Sequence, residues 1–292
     1  MNKKPVTVPA LQSLKNRGEK ITMLTAYDYT FARLMDEAGV EVLLVGDSLG
    51  MVVQGHEDTL PVTLEEIIYH TKAVKRAAKH ALVVADMPFL SYQVNDEEAV
   101  RNAGRLIKEG GADAIKLEGG QKYSYAIEMM VSAGIPVMGH VGLGPQSTRI
   151  LGGHKVQGKS ANAIQEMLDD ALAVEEAGAF SLVIEAVPWP VARMITQRLR
   201  IPTIGIGAGP YCDGQVLVFA DMLGLFTAFQ PHFVRRFAHL AEDSNRAFSN
   251  FIQTVKDGSF PTLDESYSVD QKVLEEVNQL NNHYMDEHDF ND

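Results

Sequence analysis

The chain of 292 residues is 46% hydrophobic and 22% charged, a composition that allows a globular protein with a large buried core. No apolar run approaches the roughly 18 residues of a membrane span, and the N-terminus lacks the apolar stretch of a secretory signal. The single cysteine, Cys212, excludes an internal disulfide and a cysteine-based zinc site, so we expect a cytoplasmic protein. The net charge of -12, with no basic cluster larger than Arg235-Arg236, argues against nucleic acid and membranes as partners.

Short apolar runs rich in β-branched residues alternate with helix-like stretches along the chain, which is typical of repeated βα units. Eight of these runs are predicted to be strands, namely Ile21–Ala26, Val42–Val45, Leu82–Ala85, Ala114–Leu117, Pro136–Gly139, Ser181–Glu185, Thr203–Ile206 and Val216–Ala220. Most are apolar throughout, as strands covered on both faces should be. The clearest helices between them are predicted at Leu64–Lys79, Asp96–Glu109, Tyr123–Ala133 and Ala161–Ala177.

Eight predicted strands with helices between them favour a (β/α)8 TIM barrel, and their even recurrence favours it over the alternative, a doubly wound open sheet. Glycines that follow several predicted helices, such as Gly39 and Gly134, suit the left-handed caps that turn the chain toward the next strand. We expect one barrel domain with C-terminal helices over residues 1–269, including a long amphipathic helix over His232–Val255. A polar, flexible tail is predicted over residues 270–292.

Polar residues close five successive strands of the predicted barrel, from the second to the sixth. They are Asp47 with Ser48, Asp86, Lys116 with Glu118, His140, and Glu185. In a barrel these strand ends meet at the rim where active sites form. Any one of these acids has an equally good explanation as a helix cap or turn residue. Burying the whole set at one rim is costly unless a divalent cation compensates the charge.

The donor atoms of these residues decide which metal is expected. Asp47, Asp86 and Glu118 offer hard oxygens and no thiol is in reach, so Mg²⁺ or Mn²⁺ is predicted rather than zinc. Such an ion suits chelation of the carboxylate and carbonyl of a 2-oxo acid, where it acts as a Lewis acid that stabilises an enolate. The sequence therefore predicts an enzyme that makes or breaks a carbon–carbon bond next to a carbonyl.

Three other rim residues receive predicted roles from their chemistry. Lys116 faces the same interior as Glu118 and can pair with the substrate carboxylate; a Schiff base, as in class I aldolases, is its alternative role. Glu185 is the predicted general base, because burial raises the pKa of a carboxyl group toward the useful range. His140 is predicted to hydrogen-bond the enolate or move a proton, or else to be a structural histidine.

Glycine-rich stretches mark the loops of the same rim. Gly205–Gly209 resembles a dinucleotide fingerprint but lacks the helix start and the acidic residue about 20 positions on, so we expect a tight turn after the seventh strand. Gly50–Gly55 and Gly142–Gly158 are predicted to be long loops of the sort that act as lids.

Several longer motifs occur together, in one order, through nearly the whole chain up to about Val269. They are Thr25–Asp28, Val45–Gly50, Ala85–Phe89, Ile115–Gly120, Gly139–Leu143, Gly205–Gly209, Cys212–Gln215 and Phe260–Pro261. In this combination the sequence resembles the ketopantoate hydroxymethyltransferase family. The isocitrate lyase and phosphoenolpyruvate mutase types would share its barrel and metal site but not this set of motifs.

The resemblance implies that a hydroxymethyl group passes from 5,10-methylenetetrahydrofolate to 3-methyl-2-oxobutanoate, giving 2-dehydropantoate in pantothenate biosynthesis. It implies one Mg²⁺ per subunit at Asp47, Asp86 and Glu118, with Glu185 as the proton acceptor. The implied contacts of the oxo acid come from Asp47, Ser48, Asp86 and Lys116. A cytoplasmic homodecamer is also implied, and no motif identifies the residues that bind folate.

Two other functions fit parts of this pattern. A metal-dependent 2-oxo-acid aldolase or lyase of the isocitrate lyase type would use the same rim without folate, so folate dependence separates it from the transferase. The other is a non-catalytic barrel that only binds or assembles, but a scaffold has no need for Lys116, Glu118 and Glu185 inside one mouth.

Overall fold

The computed structural model describes residues 4–147 and 156–288 of the chain. Eight parallel strands form a closed barrel in chain order. They are β1 (Ile21–Thr25), β2 (Val42–Val45), β3 (Leu82–Asp86), β4 (Ala114–Lys116), β5 (Val137–Gly142), β6 (Ser181–Glu185), β7 (Thr203–Ile206) and β8 (Gly214–Leu217). Because β8 pairs with β1 and closes the sheet, the predicted (β/α)8 barrel is confirmed and the open sheet is wrong.

Helices connect the strands of the barrel. They are α1 (Val8–Asn16), α2 (Tyr29–Ala38), α3 (Leu49–Val52), α4 (Leu64–Ala77), α5 (Asp96–Arg105) continued by a π-helical turn (Leu106–Gly110), α6 (Ser124–Ser132), α7 (Ala161–Glu176), α8 (Trp189–Arg198) and α9 (Phe219–Met222). Thr63 and Glu66 form a capping box at the start of α4. Gly39 and Gly134 have φ angles of 97° and 84°, which confirms the predicted left-handed caps.

The last strand differs most from its prediction. The run predicted at Val216–Ala220 is observed as a strand at Gly214–Leu217, because Gly214 and Gln215 pair with β1 although neither side chain is apolar. After Leu217 the chain turns into α9. The bounds of β8 therefore follow from backbone pairing with β1 and not from the local apolar pattern.

Apolar side chains fill the interior of the barrel, among them Met23, Leu44, Val84, Met138 and Val183. A second and larger apolar cluster includes side chains from both the strands and the helices. Since side chains alternate along a strand, Met138 and His140 of β5 face the interior, whereas Gly139 faces Val174 of α7. The interior therefore changes from apolar to polar toward the C-terminal rim, at His140.

Residues 1–239 and 240–292 form two compact units. The predicted domain over residues 1–269, with a tail over residues 270–292, stays a prediction. The second unit contains α10 (Leu240–Asp257), which replaces the helix predicted at His232–Val255, and α11 (Gln271–His288). α11 contains apolar residues at helical spacing, such as Val273 and Val277. Most residues of this segment are polar, and for that reason the sequence analysis predicted a polar tail there. Flexibility of the tail stays a prediction. Among the described helices, none is both long and apolar enough to cross a membrane.

Gly139 offers a test of the packing between the barrel and α7. A Cβ atom on Gly139 would lie 2.4 Å from Cγ1 of Val174, whose branched side chain is stiff within the helix. We expect Gly139→Ala to lower the free energy of unfolding by about 1–3 kcal/mol. Gly104→Ala is the control, because nothing lies within 4 Å of a Cβ there and alanine favours the helix. Chemical denaturation measures both variants, and a Gly139→Ala protein as stable as the parent would contradict this packing.

Candidate active site

One cavity at the C-terminal rim brings together every residue predicted for the site. Its polar lining includes Asp47, Ser48, Asp86, Lys116, Glu118, His140 and Glu185. Leu44, Val183 and Val216 add an apolar wall, and the volume is ≈ 540 Å³ with open solvent included. The acidic part of this lining suits a cation, and the apolar wall suits the hydrocarbon part of a ligand.

Asp86 and Lys116 form a buried ion pair in this lining. Lys116 Nζ donates to Oδ1 and Oδ2 of Asp86 at 2.7 and 2.8 Å, and the two side chains are 6% and 2% exposed. Burial alone would lower the pKa of Lys116, but the negative charges of Asp86 and its acidic neighbours outweigh burial and raise that pKa. The ammonium group therefore stays charged, which suits pairing with a carboxylate and disfavours the alternative role as a Schiff-base amine.

Two further carboxylates, those of Asp47 and Glu118, are buried beside this ion pair. Burial, together with the charge of Asp86, raises the pKa of Asp47 to about 7. Burial and then the charge of Asp47 raise the pKa of Glu118 well above its ordinary value. Oε1 of Glu118 has no hydrogen-bond partner among the described residues. The rim thus holds more acidic groups than Lys116 can neutralise.

The donor chemistry of the rim fits a hard divalent cation. Asp47, Asp86 and Glu118 contribute carboxylate oxygens, and Oε1 of Glu118 accepts no hydrogen bond from the described residues. As the side chains stand, however, no three histidine, cysteine or acidic residues of the described chain are arranged to hold a metal ion. Lys116 occupies both oxygens of Asp86 instead. The residue types therefore match the predicted ion, although they form no ready-made cage.

Gln146 is buried at the same rim, and sequence analysis does not predict it. Its Nε2 donates to Oδ2 of Asp47 at 3.0 Å and to the carbonyl of Met87 at 2.9 Å. Its backbone N–H donates to Oε2 of Glu118 at 3.2 Å, and its Oε1 accepts from the hydroxyl of Tyr92 at 2.9 Å. The only signal in the sequence is a polar residue within a glycine-rich loop. Gln146 holds two of the predicted metal ligands in place.

Ser48 lies in the lining at the N-terminal end of α3. Its side chain makes no capping hydrogen bond, so the structure does not support the explanation as a helix cap. Its Oγ instead lies 2.7 Å from the hydroxyl of the buried Tyr27. Burial raises the pKa of Tyr27, so the phenol stays protonated. This hydrogen bond orients Ser48 at the edge of the cavity.

Glu185 and His140 are neighbours in the same lining. His140 Nε2 lies 3.3 Å from Oε2 of Glu185, and Nδ1 lies 3.9 Å from Oε1 of Glu118. Neither nitrogen makes a hydrogen bond of acceptable geometry within the described residues, which is unusual for a structural histidine that is 2% exposed. Ala186, directly after Glu185, has a φ of 50°, a strained conformation that occurs at functional sites.

The predicted loops of the rim are only partly described. Gly50–Gly55 contains part of α3 and is therefore not wholly a loop. Of the predicted lid Gly142–Gly158, residues 148–155 lie outside the described residues. Of the tight turn predicted at Gly205–Gly209, Gly205 and Ile206 are instead the last residues of β7, and the chain bends after them at Gly207, which has a φ of 62°.

Comparison with known sequences identifies the family of this chain. The sequence model described as ketopantoate hydroxymethyltransferase matches residues 5–263. The chain belongs to the ketopantoate hydroxymethyltransferase family. The 3-methyl-2-oxobutanoate hydroxymethyltransferases of Moorella thermoacetica and Syntrophus aciditrophicus are 58% and 56% identical to it over 262 residues, 90% of this chain and 97% and 96% of theirs. That of Clostridium botulinum is 54% identical over 271 residues, 93% of this chain and 98% of its own. As a member of this family the chain is a transferase, as the sequence predicts.

Solved structures confirm the predicted type of barrel for this member of the family. A phosphonopyruvate hydrolase matches with a TM-score of 0.60 at 13% identity, covering 97% of this chain and 99% of its own. A 2,3-dimethylmalate lyase, described as a PEP mutase/isocitrate lyase superfamily member, matches with a TM-score of 0.57 at 15% identity, covering 97% and 98%. At such low identity the likeness shows the fold alone.

Gln146 offers a test of how this family site is held together. Methionine has a similar length but no amide, so Gln146→Met leaves Asp47 and the hydroxyl of Tyr92 without their partner. We expect the free energy of unfolding to fall by about 1–3 kcal/mol. Gln93→Met is the control, because half-buried Gln93 gives Gln146 a single hydrogen bond and its loss should cost less than about 1 kcal/mol. Equal losses in chemical denaturation would show that Gln146 is only a peripheral contact.

Proposed function

We propose that this protein transfers a hydroxymethyl group from 5,10-methylenetetrahydrofolate to 3-methyl-2-oxobutanoate and forms 2-dehydropantoate for pantothenate synthesis. Relatives that are 54% and 58% identical carry the name 3-methyl-2-oxobutanoate hydroxymethyltransferase, which supports the oxo acid and the transferred group. The observation that carries the proposal is the rim cavity in which Lys116, Glu185 and further carboxylates adjoin an apolar wall.

Asp47, Asp86 and Glu118 would hold one Mg²⁺ per subunit. Their acidic side chains, which Lys116 alone does not neutralise, support a cation at this place. Mg²⁺ would supply a Lewis acid for the carbonyl and carboxylate oxygens of a 2-oxo acid. Manganese has similar ligand preferences, so these residues fit either ion. Asp47 and Asp86 also line the space that the oxo acid would occupy.

The oxo acid binds with its carboxylate near Lys116 and its branched chain against the apolar wall. Lys116 is held charged and Ser48 presents a hydroxyl, and both groups match a carboxylate. Leu44, Val183 and Val216 supply the apolar surface. Contact with an isopropyl group removes apolar area from water on both partners, which favours this branched substrate.

Glu185 removes the proton from C3 of the bound oxo acid. It lines the cavity at the end of β6, and its side chain is 17% exposed. The electron pair of the broken C–H bond forms the enolate. The carried methylene carbon is bonded to two folate nitrogens; water supplies its oxygen as both C–N bonds break, and each nitrogen takes one proton of that water, which releases tetrahydrofolate and leaves the carbon as an aldehyde. C3 then bonds to this carbon while the C=O electron pair moves to the oxygen, which takes up the proton that Glu185 removed. His140, 3.3 Å from Glu185, is placed to hydrogen-bond the substrate oxygen or to pass the proton on.

A folate-independent 2-oxo-acid lyase is the alternative that the fold alone allows, since the barrel resembles that of 2,3-dimethylmalate lyase. The names of relatives above 50% identity favour the transferase. Location in the cytoplasm and assembly as a homodecamer stay predictions, supported by composition and by the family resemblance. The expected lack of nucleic-acid and membrane partners rests on the net charge of -12.

Replacing the proposed base separates proton transfer from binding. The amide in Glu185→Gln has the same size but is not a base, so we expect deuterium exchange at C3 of 3-methyl-2-oxobutanoate to slow about 10²- to 10⁴-fold. Binding should persist, because Lys116 and the apolar wall are unchanged. Proton NMR in D₂O follows exchange and calorimetry follows binding. Glu166→Gln, at an exposed position of α7, is the control, and exchange at the parent rate in Glu185→Gln would assign the base elsewhere.

Asp86→Asn tests a proposed magnesium ligand with little change in size. Because the amide is neutral, we expect at least about tenfold weaker Mg²⁺ binding in calorimetry, together with loss of Mg²⁺-dependent C3 exchange. An unchanged circular dichroism spectrum would show that the fold is intact. Asp264→Asn, at an exposed position of the second unit, is the matched control. Magnesium binding at the parent affinity would remove Asp86 from the ligand set.

A further inference from the structure

A second cavity opens beside the oxo-acid cavity, and none of the steps above uses it. The two cavities share Ser48, Pro145, Glu185, Ile206 and Val218 in their linings. The second has a volume of ≈ 1830 Å³ with open solvent included, against ≈ 540 Å³ for the first. It therefore suits a larger molecule, one end of which would lie next to the proposed base.

Aromatic side chains form part of the wall of this second cavity. Phe226, Phe229 and Phe233 line it, and Phe229 and Phe233 are 50% and 39% exposed. The rings of Phe226 and Phe229 meet edge to face with centroids 5.8 Å apart. A Cβ atom on Gly207 would lie 2.8 Å from the ring of Phe233, so glycine is what lets the turn after β7 approach this wall. Exposed rings in a cavity favour a flat ligand that stacks on them.

Asp221 supplies an ionised carboxylate in the same lining. It lies in α9, directly after β8, and is half-buried. Its side chain makes no hydrogen bond within the described residues. Burial raises the pKa of Asp221 to about 6, while the positive charge of Arg236 opposes the shift. At neutral pH both oxygens are therefore charged acceptors available to a ligand. Glu57, an acid of the same cavity, is exposed to solvent.

We propose that the second cavity binds the pterin ring of the one-carbon carrier and that the Asp221 carboxylate accepts hydrogen bonds from its ring N–H and its 2-amino group. This inference rests on the proposed function. The edge of a 2-amino-4-oxo pterin presents two neighbouring N–H donors, which match the two oxygens of a carboxylate. The flat ring stacks on the wall that contains Phe229 and Phe233. The lining shared at Glu185 brings the carried carbon toward C3 of the oxo acid.

Asp221→Asn tests the carboxylate directly. The amide keeps the size of the side chain but turns one acceptor into a donor that faces the donors of the pterin. We expect anaerobic calorimetry to show tetrahydrofolate binding roughly 10- to 100-fold more weakly than to the parent protein. Glu57→Gln is the control within the same cavity, and its affinity should stay within about twofold of the parent.

We expect Asp221→Asn to stay folded, so that unfolding would not account for weaker tetrahydrofolate binding. The raised pKa of Asp221 means that its charge destabilises the native state at every pH above about 6, and protonation relieves this as the pH falls. Asparagine carries no charge, so the variant should unfold at the parent temperature or above it at pH 7 to 8. A clearly lower unfolding temperature would give Asp221 a structural role instead.

A ligand with one donor removed completes the test. The 2-desamino-2-methyl analogue of tetrahydrofolate should bind the parent protein more weakly than tetrahydrofolate does, but Asp221→Asn should bind the two equally, because the shared hydrogen bond is already lost. Equal affinity of Asp221→Asn and the parent, or additive losses with the analogue, would overturn the pterin assignment and leave the transferase intact. A parent protein that exchanges C3 protons yet binds no tetrahydrofolate would overturn folate as co-substrate, and the pterin site with it.

Discussion

Crowded acidic groups at the mouth of the barrel are the constraint on which the site depends. Asp47, Asp86 and Glu118 are buried there, and Lys116 contributes a single positive charge. Charges buried in this way destabilise a fold unless they are neutralised, and the raised pKa values of Asp47 and Glu118 reflect that effect. A barrel selected for stability alone would carry apolar side chains at these positions, as it does one layer deeper. The rim is arranged to accept opposite charges from ligands.

The barrel keeps this arrangement rigid through two kinds of contact. Alternation along each strand sets His140 directly above the apolar Met138, so the polar rim rests on a packed interior. Gln146 then reaches back from the loop after β5 and links Asp47 to Glu118 through its side-chain amide and its backbone N–H. Carboxylates that repel each other are held at fixed positions by neutral donors, which leaves their charge available for a ligand.

Local signals in the sequence predict most of this structure, and the rest depends on contacts between distant residues. An apolar run that ends in a polar residue marks both a strand and its rim, which is why the lining from Asp47 to Glu185 is predictable. Gln146 acquires its role only when folding brings Asp47 and Glu118 around it. The start of β8 at Gly214 likewise arises from pairing with β1. Asp221 also follows an apolar run, the one predicted as the eighth strand, but the sequence analysis singled out only the polar residues that close the second to the sixth strands.

Glu185 lies where the two cavities meet, a position from which, in the proposed reaction, one base would serve both substrates. The backbone bends sharply there, since Ala186 has a φ of 50° and the carbonyl of Glu185 accepts the N–H of Leu143. Strain of this kind costs about 1–3 kcal/mol and persists only where the surrounding structure enforces it. A base at the end of one cavity would form a carbanion that water could protonate again. In the proposed reaction, a base between the cavities would generate the nucleophilic carbon beside its electrophile, so that carbon–carbon bond formation competes well with return of the proton.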